Sequence, residues 1–247
     1  MSNPPEINPM AAMPLLAAPP RWNQPPPVAP SIEVGRSVLG NSIRLFHPGP
    51  SNVLVFGGAH GDESEPIFLG HLLLEMGLGV PIIPCLNPDG ALLRQRWNRH
   101  NVDLNRNLPT KDWQPEPLNP RYPPGTAPAS EPETQALLAT LEQVKPTILL
   151  NLHSYKETFV EVERPPETLS VALNRALDGL TQGLGVERRL SIGYPTPGST
   201  GSFGMENGLL VVTYELLRGM SHGEIEAIAP KVAEFIRQVT PLKFESP

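Results

Sequence analysis

The chain holds a single cysteine, Cys85. No internal disulfide can form, and nothing in its thiol chemistry calls for an oxidising compartment. Set within the strand-like run VPIIPCL, Cys85 reads as a small core residue rather than a nucleophile. Positive charge is also scarce: 19 Lys and Arg stand against 25 Asp and Glu, giving a net charge of −6 and a pI near 5.5. A nucleic-acid partner would need a basic face, so that class of function is set aside. No apolar run reaches the length of a membrane-spanning helix, so no membrane partner is expected. The mildly apolar MAAMPLLAAPP near the N-terminus lacks a basic leader and is interrupted by Pro14. It is not read as a secretory signal, and a cytoplasmic location is expected. No internal repeat is visible, and nothing here specifies an oligomeric state.

Proline, by contrast, is abundant. The chain has 32, and the first thirty positions carry a dense share of them. Residues 1–30 read as a disordered or polyproline-like tail, with Trp22 a candidate for docking on the domain that follows. Residues 31–247 are assigned to one domain, since 39% hydrophobic content suffices for a single large core at this length. SIEVGRSVLGNSIRLFH reads as two strands joined by a Gly-Asn turn. NVLVF, VPIIPCL (80–86), TILLNLH (147–153) and LLVVTYEL (209–216) are short apolar runs rich in branched residues, suited to strands buried on both faces. Between them, Ser130-Glu-Pro-Glu133 has the spacing of a capping box ahead of Leu137, Leu141 and Val144. Leu169, Leu173, Leu177, Leu180 and Leu184 form a second helical stripe ended by Gly185. Ser221-His-Gly-Glu224 opens a third, with Ile225, Ile228, Val232, Phe235 and Val239 inward. The expected fold is α/β, a mixed and largely parallel central sheet with helices on both faces. Residues 108–129 form a Pro-rich loop without periodicity, a length often tied to function.

In open parallel sheets, sites form beyond the carboxyl ends of the strands. NVLVF delivers His60 and Glu63, TILLNL delivers His153 with Ser154 behind it, and LLVVTY delivers Glu215. The His60-x-x-Glu63 pair alone says little, and a lone histidine after a strand is ordinarily a satisfied polar residue. Two histidines and a glutamate, however, are a known catalytic zinc set, and a further unligated carboxylate suits a general base. Glu215 behind an apolar run needs a partner or a function, and Arg218 is near enough in sequence to be that partner. His47, His71, His100 and His222 have no such company and read as surface or structural residues.

The segment RWNRHNVDLNRNL, from Arg96 to Leu108, adds text of another kind. With HGDE, NPDG (87–90), SEPET (130–134), LHSY (152–155) and YEL (214–216) following in order, it resembles the zinc metallocarboxypeptidases of the carboxypeptidase A/B type. GYPTPGSTGSFGMENGLLVVTYEL is similar to the corresponding region of the bacterial murein peptide amidases in that family. Asn101 stands where the family usually has glycine, and asparagine tolerates the left-handed backbone such a turn requires. Leu108 stands where phenylalanine is usual, and LHSY is closer to the digestive enzymes than to the enteric amidases.

The resemblance implies a hydrolase with one Zn²⁺ per chain, held by His60, Glu63 and His153. Glu215 would be the general base and Arg96 would face the developing oxyanion. Asn105 and Arg106 would grip the free α-carboxylate of a small peptide substrate, Tyr194 would close over it, and Ser154 and Thr200 would line the site. Thr200 lies where the side-chain pocket is lined and carries no charge, so it supports neither a basic nor an acidic preference. The implied bond is γ-D-glutamyl–meso-diaminopimelate, cut in peptidoglycan recycling. Three other readings compete: an N-acyl amino acid deacylase of the aspartoacylase or succinylglutamate desuccinylase kind, a non-catalytic peptide-binding relative, and a scaffold whose working part is the tail.

Overall fold

A computed structural model describes residues 29–242. The greater part of the Pro-rich tail, Trp22 included, lies outside the described residues.

The chain opens on a hairpin, β1 (Ser31–Arg36) and β2 (Ser42–Phe46), as the alternating pattern implies. Its turn closes with Ser37 and Asn41 paired through the backbone. The apolar runs then become β3 (Val53–Phe56), β4 (Ile82–Ile83), β5 (Ile148–Tyr155) and β8 (Leu210–Leu217). β4 is only two residues long because Pro81 and Pro84 flank it and neither can donate a ladder hydrogen bond. Two strands have no apolar run to announce them: β6 (Phe159–Glu161) and β7 (Glu187–Arg189). The eight strands form one sheet in the order β1-β2-β4-β3-β5-β8-β6-β7. Its centre, β4-β3-β5-β8, is parallel, while β2 meets β4 and β6 meets β8 antiparallel. The sheet is therefore mixed and largely parallel at its core.

Helices cover both faces, because a sheet buried on both sides needs apolar cover on each. α1 (Ser64–Glu75), α4 (Val171–Leu184) and α6 (His222–Val239) pack on one face, where Leu69, Leu73, Leu177 and Val232 meet Leu150, Leu152 and Val212. α3 (Pro132–Val144) lies on the other with Leu137 and Val144 against Leu54, Phe56 and Leu149. Two short helices, α2 (Pro88–Leu93) and α5 (Thr200–Glu206), complete the set. α6 starts with the full reciprocal capping box of Ser221 and Glu224. α4 starts at Ser170 and stops at Gly185 in the left-handed conformation. At α3 the expected box does not form. The N-cap is Glu131, whose side chain makes no cap bond, and the Ser130 hydroxyl donates to the Glu131 carboxylate. Glu133 is drawn away toward Asn98 and the Val38 backbone, so it cannot reach back. Cys85 is buried, and burial pushes its thiol pKa up, as suits a packing residue. No helix among the described residues is long and apolar enough to cross a membrane.

What positions the site is the alternation of side chains along β5, β8 and β6. Leu150, Leu152, Val212, Tyr214, Val160 and Val162 all enter the first apolar cluster. Their odd-numbered neighbours must then face the opposite side. Near the carboxyl ends these are Asn151, His153, Thr213, Glu215 and Glu161, a polar patch on an otherwise apolar face. The parallel register sets His153 directly beside Glu215, and the antiparallel register sets Glu161 beside Thr213.

Candidate active site

His60 and Glu63 lie in the turn between β3 and α1, with Glu63 as the helix N-cap. Gly61 lets that turn press on the backbone after β4. A Cβ at this position would sit 1.9 Å from the Gly90 carbonyl carbon and 2.2 Å from the Ala91 nitrogen. Backbone cannot yield as a flexible side chain can, so the whole turn would have to move. Gly61→Ala is expected to destabilise the fold by about 3 kcal/mol or more and to weaken metal binding. Denaturant melts and zinc titration would check it, and parent-like values in both would contradict the close approach.

The His60, Glu63 and His153 ligand atoms all lie within 4.8 Å of one another, and all three residues are buried. His60 Nδ1 is 2.8 Å from Glu63 Oε1, and His153 Nδ1 is 3.0 Å from Glu63 Oε2 and 3.1 Å from His60 Nδ1. His60 Nε2 sits 3.0 Å from Asp103 Oδ1. A proton on Nε2 directed at that carboxylate leaves Nδ1 with its lone pair facing inward. Three electron-rich atoms then converge where something positive must sit among them. Ligands of a tetrahedral zinc, at about 2.0–2.1 Å from the metal, lie roughly 3.3 Å apart. The observed spacings are close to this, so the donor set fits a zinc ion. Burial works to raise the Glu63 carboxyl, yet the two imidazoles hold it well below the usual carboxylate range.

Arg96 donates from Nε to Asp103 Oδ2 at 2.8 Å, and its Nη1 lies 3.7 Å from Glu63 Oε1. Asp103 thus ties the His60 ring to the Arg96 guanidinium. Burial would raise its carboxyl, but Arg96 and His60 keep it well below the ordinary range. The loop that carries these residues turns at Asn101, with φ of 60°, the left-handed conformation expected from its place in the motif. Asn105 accepts from both the backbone N–H and the hydroxyl of Thr200, at 2.9 and 3.1 Å. That fixes the amide so its Nδ2 points toward His153 and the cavity. Ser154 lies in the cavity wall, but its hydroxyl donates to Glu65 and its N–H to Glu63. Arg218 does not serve Glu215. It pairs with Asp62 at 3.2 Å and Glu63 at 3.4 Å, because it leaves β8 on the side of the β3–α1 turn.

The long Pro-rich loop contributes a residue that the sequence did not single out. Tyr122 lies under both guanidinium groups, 4.9 Å from Arg96 and 5.0 Å from Arg106, and its ring is parallel to that of Tyr194 with centroids 6.3 Å apart. Burial, with Tyr122 adding to it, pushes the Tyr194 phenol up, so it is neutral at physiological pH. Together with His60, Glu63, His153, Asn105, Thr200 and Glu215, these side chains line one cavity of about 580 Å³.

Burial pushes Glu215 up to about 7, with Glu63 and Glu161 reinforcing it and His153 and Arg96 opposing. Glu161 and Glu163, which no motif marked, line the same cavity. The alternation in FVEVE was the available signal, since a strand and its extended continuation would send both carboxylates to one side. Burial pushes Glu163 from 4.5 up to about 7, helped by the charges of Glu161 and Asp112. A carboxyl raised on folding costs stability once it must ionise. That cost is absent below 4.5, grows as pH rises, and is complete above about 7. Glu163→Gln is therefore expected to raise the Tm more at pH 8 than at pH 5. Equal shifts at both values would contradict the raised carboxyl.

Residues 78–166 match the family model for zinc carboxypeptidases. Murein peptide amidase A of Escherichia coli K12 is 30% identical over 200 residues, 73% of this chain and 78% of that protein. The Vibrio campbellii protein of that name is 31% identical over 206 residues, 74% and 77% of the respective lengths. The crystal structure of the murein-tripeptide amidase from Escherichia coli O157 superposes with a TM-score of 0.74 at 28% identity, covering 89% of this chain and 96% of that one. Thrombin-activatable fibrinolysis inhibitor shares the fold, with a TM-score of 0.70 at 19% identity over 87% of this chain and 71% of its own. The chain is a peptidase that belongs to the zinc carboxypeptidase family, with murein peptide amidases among its relatives.

Proposed function

We propose that the chain is a zinc-dependent carboxypeptidase-type hydrolase whose substrate is a murein peptide, cut between the γ-carboxyl of D-glutamate and meso-diaminopimelate. One observation carries this reading: a metal-fitting His-Glu-His trio, a high-pKa carboxylate and an arginine–asparagine pair share one cavity. The names of the murein amidase relatives support the substrate class.

His60, Glu63 and His153 would hold one zinc ion. When bound, zinc supplies Lewis acidity, polarising the scissile carbonyl and easing deprotonation of water. Glu215 takes the proton of the attacking water as its oxygen bonds to the carbonyl carbon. As the C–N bond breaks, Glu215 passes that proton to the leaving nitrogen. A carboxylate near pH 7 in its affinity for protons suits both transfers. Arg96 bears positive charge toward the oxygen where negative charge develops, worth roughly 3–4 kcal/mol by comparison with a lost oxyanion-hole donor. Arg106 and the Asn105 amide bind the free carboxylate of the leaving residue, the guanidinium matching its two oxygens. Tyr122 and Tyr194 flank that position, and Thr200 holds the Asn105 amide in its donating orientation. Ser154 acts through its hold on Glu63 and Glu65. Residues 31–247 are the catalytic domain on this reading, residues 1–30 are dispensable for hydrolysis, and the peptide would be met in the cytoplasm.

Mass spectrometry of products from L-Ala-γ-D-Glu-meso-diaminopimelate tests the proposal, with zinc-loaded full-length protein and a chain starting at residue 31 side by side. Release of diaminopimelate by both is the expected result. No release with stoichiometric zinc would overturn the substrate, and turnover of N-acyl amino acids in its place would favour the deacylase reading.

A further inference from the structure

The cavity wall at β6 and the residues just after it is acidic, and each of its two carboxylates keeps an oxygen without a partner. Glu161 is only 8% exposed, lines the cavity, and leaves its Oε1 without a hydrogen-bond partner. Glu163, two residues on, leaves its buried Oε2 equally unpartnered. Among the described residues neither carboxylate forms an ion pair. The two arginines whose charge reaches Glu161 are otherwise engaged: Arg189 pairs with Glu157 and Glu187, and Arg106 lies over Tyr122. Space for these acids is kept by Gly201, next to Thr200 at the start of α5. A Cβ there would sit 2.5 Å from both carboxylate oxygens of Glu163.

Two neighbouring carboxylates of this kind disfavour each other's ionisation, and an isolated buried charge is costly. Burial accordingly raises both, and at Glu163 the charge of Glu161 adds to it. Their position relative to the rest of the site supplies the missing counter-charge. Glu161 is in register with Thr213 and Phe159 with Glu215, so the acidic wall continues from the residue proposed as base. Asn105, which would bind the substrate's α-carboxylate, is hydrogen-bonded to Thr200, beside Gly201. A residue gripped by its carboxylate at Asn105 and Arg106 would extend its side chain into this wall. The metal-type donor cluster among the described residues is the His60–Glu63–His153 trio, without Glu161 or Glu163, so an organic cation is the better match.

We infer that Glu161 and Glu163 form a specificity subsite that binds an ammonium group on the side chain of the substrate's C-terminal residue. The inference rests on the carboxypeptidase reading above and deepens it, since diaminopimelate carries such an ammonium. It also reverses the neutral impression left by Thr200. The pocket's charge comes from the end of β6 and the residues just after it.

Lysine and norleucine have side chains of nearly the same shape and differ in the charge at the tip, so they isolate this interaction. The zinc-loaded protein is given L-Ala-γ-D-Glu-L-lysine or L-Ala-γ-D-Glu-L-norleucine, and calorimetry measures binding of the two free amino acids. The expected result is a preference for lysine of about 100-fold or more in kcat/KM, with tighter binding of free lysine. Glu163→Gln should cut the lysine-to-norleucine ratio at least tenfold in both measurements, and Glu161→Gln should do the same. Should Glu161→Gln fail to fold, the partly exposed Glu163 position carries the comparison. Equal use and equal binding of the two residues by the parent protein would overturn the subsite, as would a Glu163→Gln protein with an unchanged ratio. Failure to cleave either peptide while free lysine still binds preferentially would count against the peptidase reading, with the subsite upheld.

Discussion

Glu215→Gln is expected to lower kcat by about 10²–10⁴-fold, the range attributed to a positioned general acid–base, while zinc content stays at one per chain. The two effects separate because Glu215 is not among the three convergent donor atoms. Glutamine keeps the side chain's shape in its place beside His153 in the sheet register. It also removes a carboxyl that burial pushes up to about 7. The folded protein therefore loses an ionisation cost above that pH, and the variant should melt no earlier than the parent at pH 8. Single-turnover kinetics on the murein tripeptide, together with metal analysis, would measure both halves. A kcat within tenfold of the parent, with zinc bound, would remove Glu215 from the chemistry.

The second large effect belongs to His153→Ala. Loss of an outer partner of a metal ligand typically weakens metal affinity about 10–100-fold, and loss of a ligand itself should exceed that. Hydrolysis should disappear with the metal. The parent protein should gain thermal stability as zinc is added, by about 2.7 kcal/mol when free zinc reaches roughly a hundred times its Kd. The variant should show no such gain. Competition with a chelator, followed by metal analysis and melting curves, would read these effects independently of activity. A His153→Ala protein that retains one zinc through that competition would exclude His153 as a ligand. The same variant deprives Glu63 of one of the two imidazoles that hold its carboxyl low. Some loss of stability without metal is therefore expected as well.

The elements that were legible in the sequence are those whose signal is local. β3, β5 and β8 are continuous branched apolar runs, and a run of that kind suits burial on both faces whatever surrounds it. α4 and α6 announce themselves by a stripe at helical spacing and by caps within a few residues of their ends. His60, Glu63, His153 and Glu215 could be picked out because each follows or ends such a run. Asn101 could be assigned its left-handed turn from its place in the family-like motif, since asparagine tolerates that backbone.

The rest is decided by partners far away in the chain. β6 has three residues and exists because β8 offers an edge, so its own sequence carries too weak a pattern. Glu161 and Glu163 look like solvated charges in FVEVERPP. Only the sheet order turns their shared face toward Glu215 and Gly201. Ser130-Glu-Pro-Glu133 had the right spacing for a capping box, but Asn98 and Val38 compete for Glu133, and no local pattern reveals them. Tyr122 reaches Arg96 and Arg106 through a loop without periodicity. By itself the sequence determined the main elements through short-range pattern, and it marked the metal-fitting residues and the carboxylate beside them through their places at strand ends together with the family-like motifs around them. The tertiary structure alone decided which unmarked side chains share the cavity with them, because strand order and loop path join residues the sequence keeps far apart.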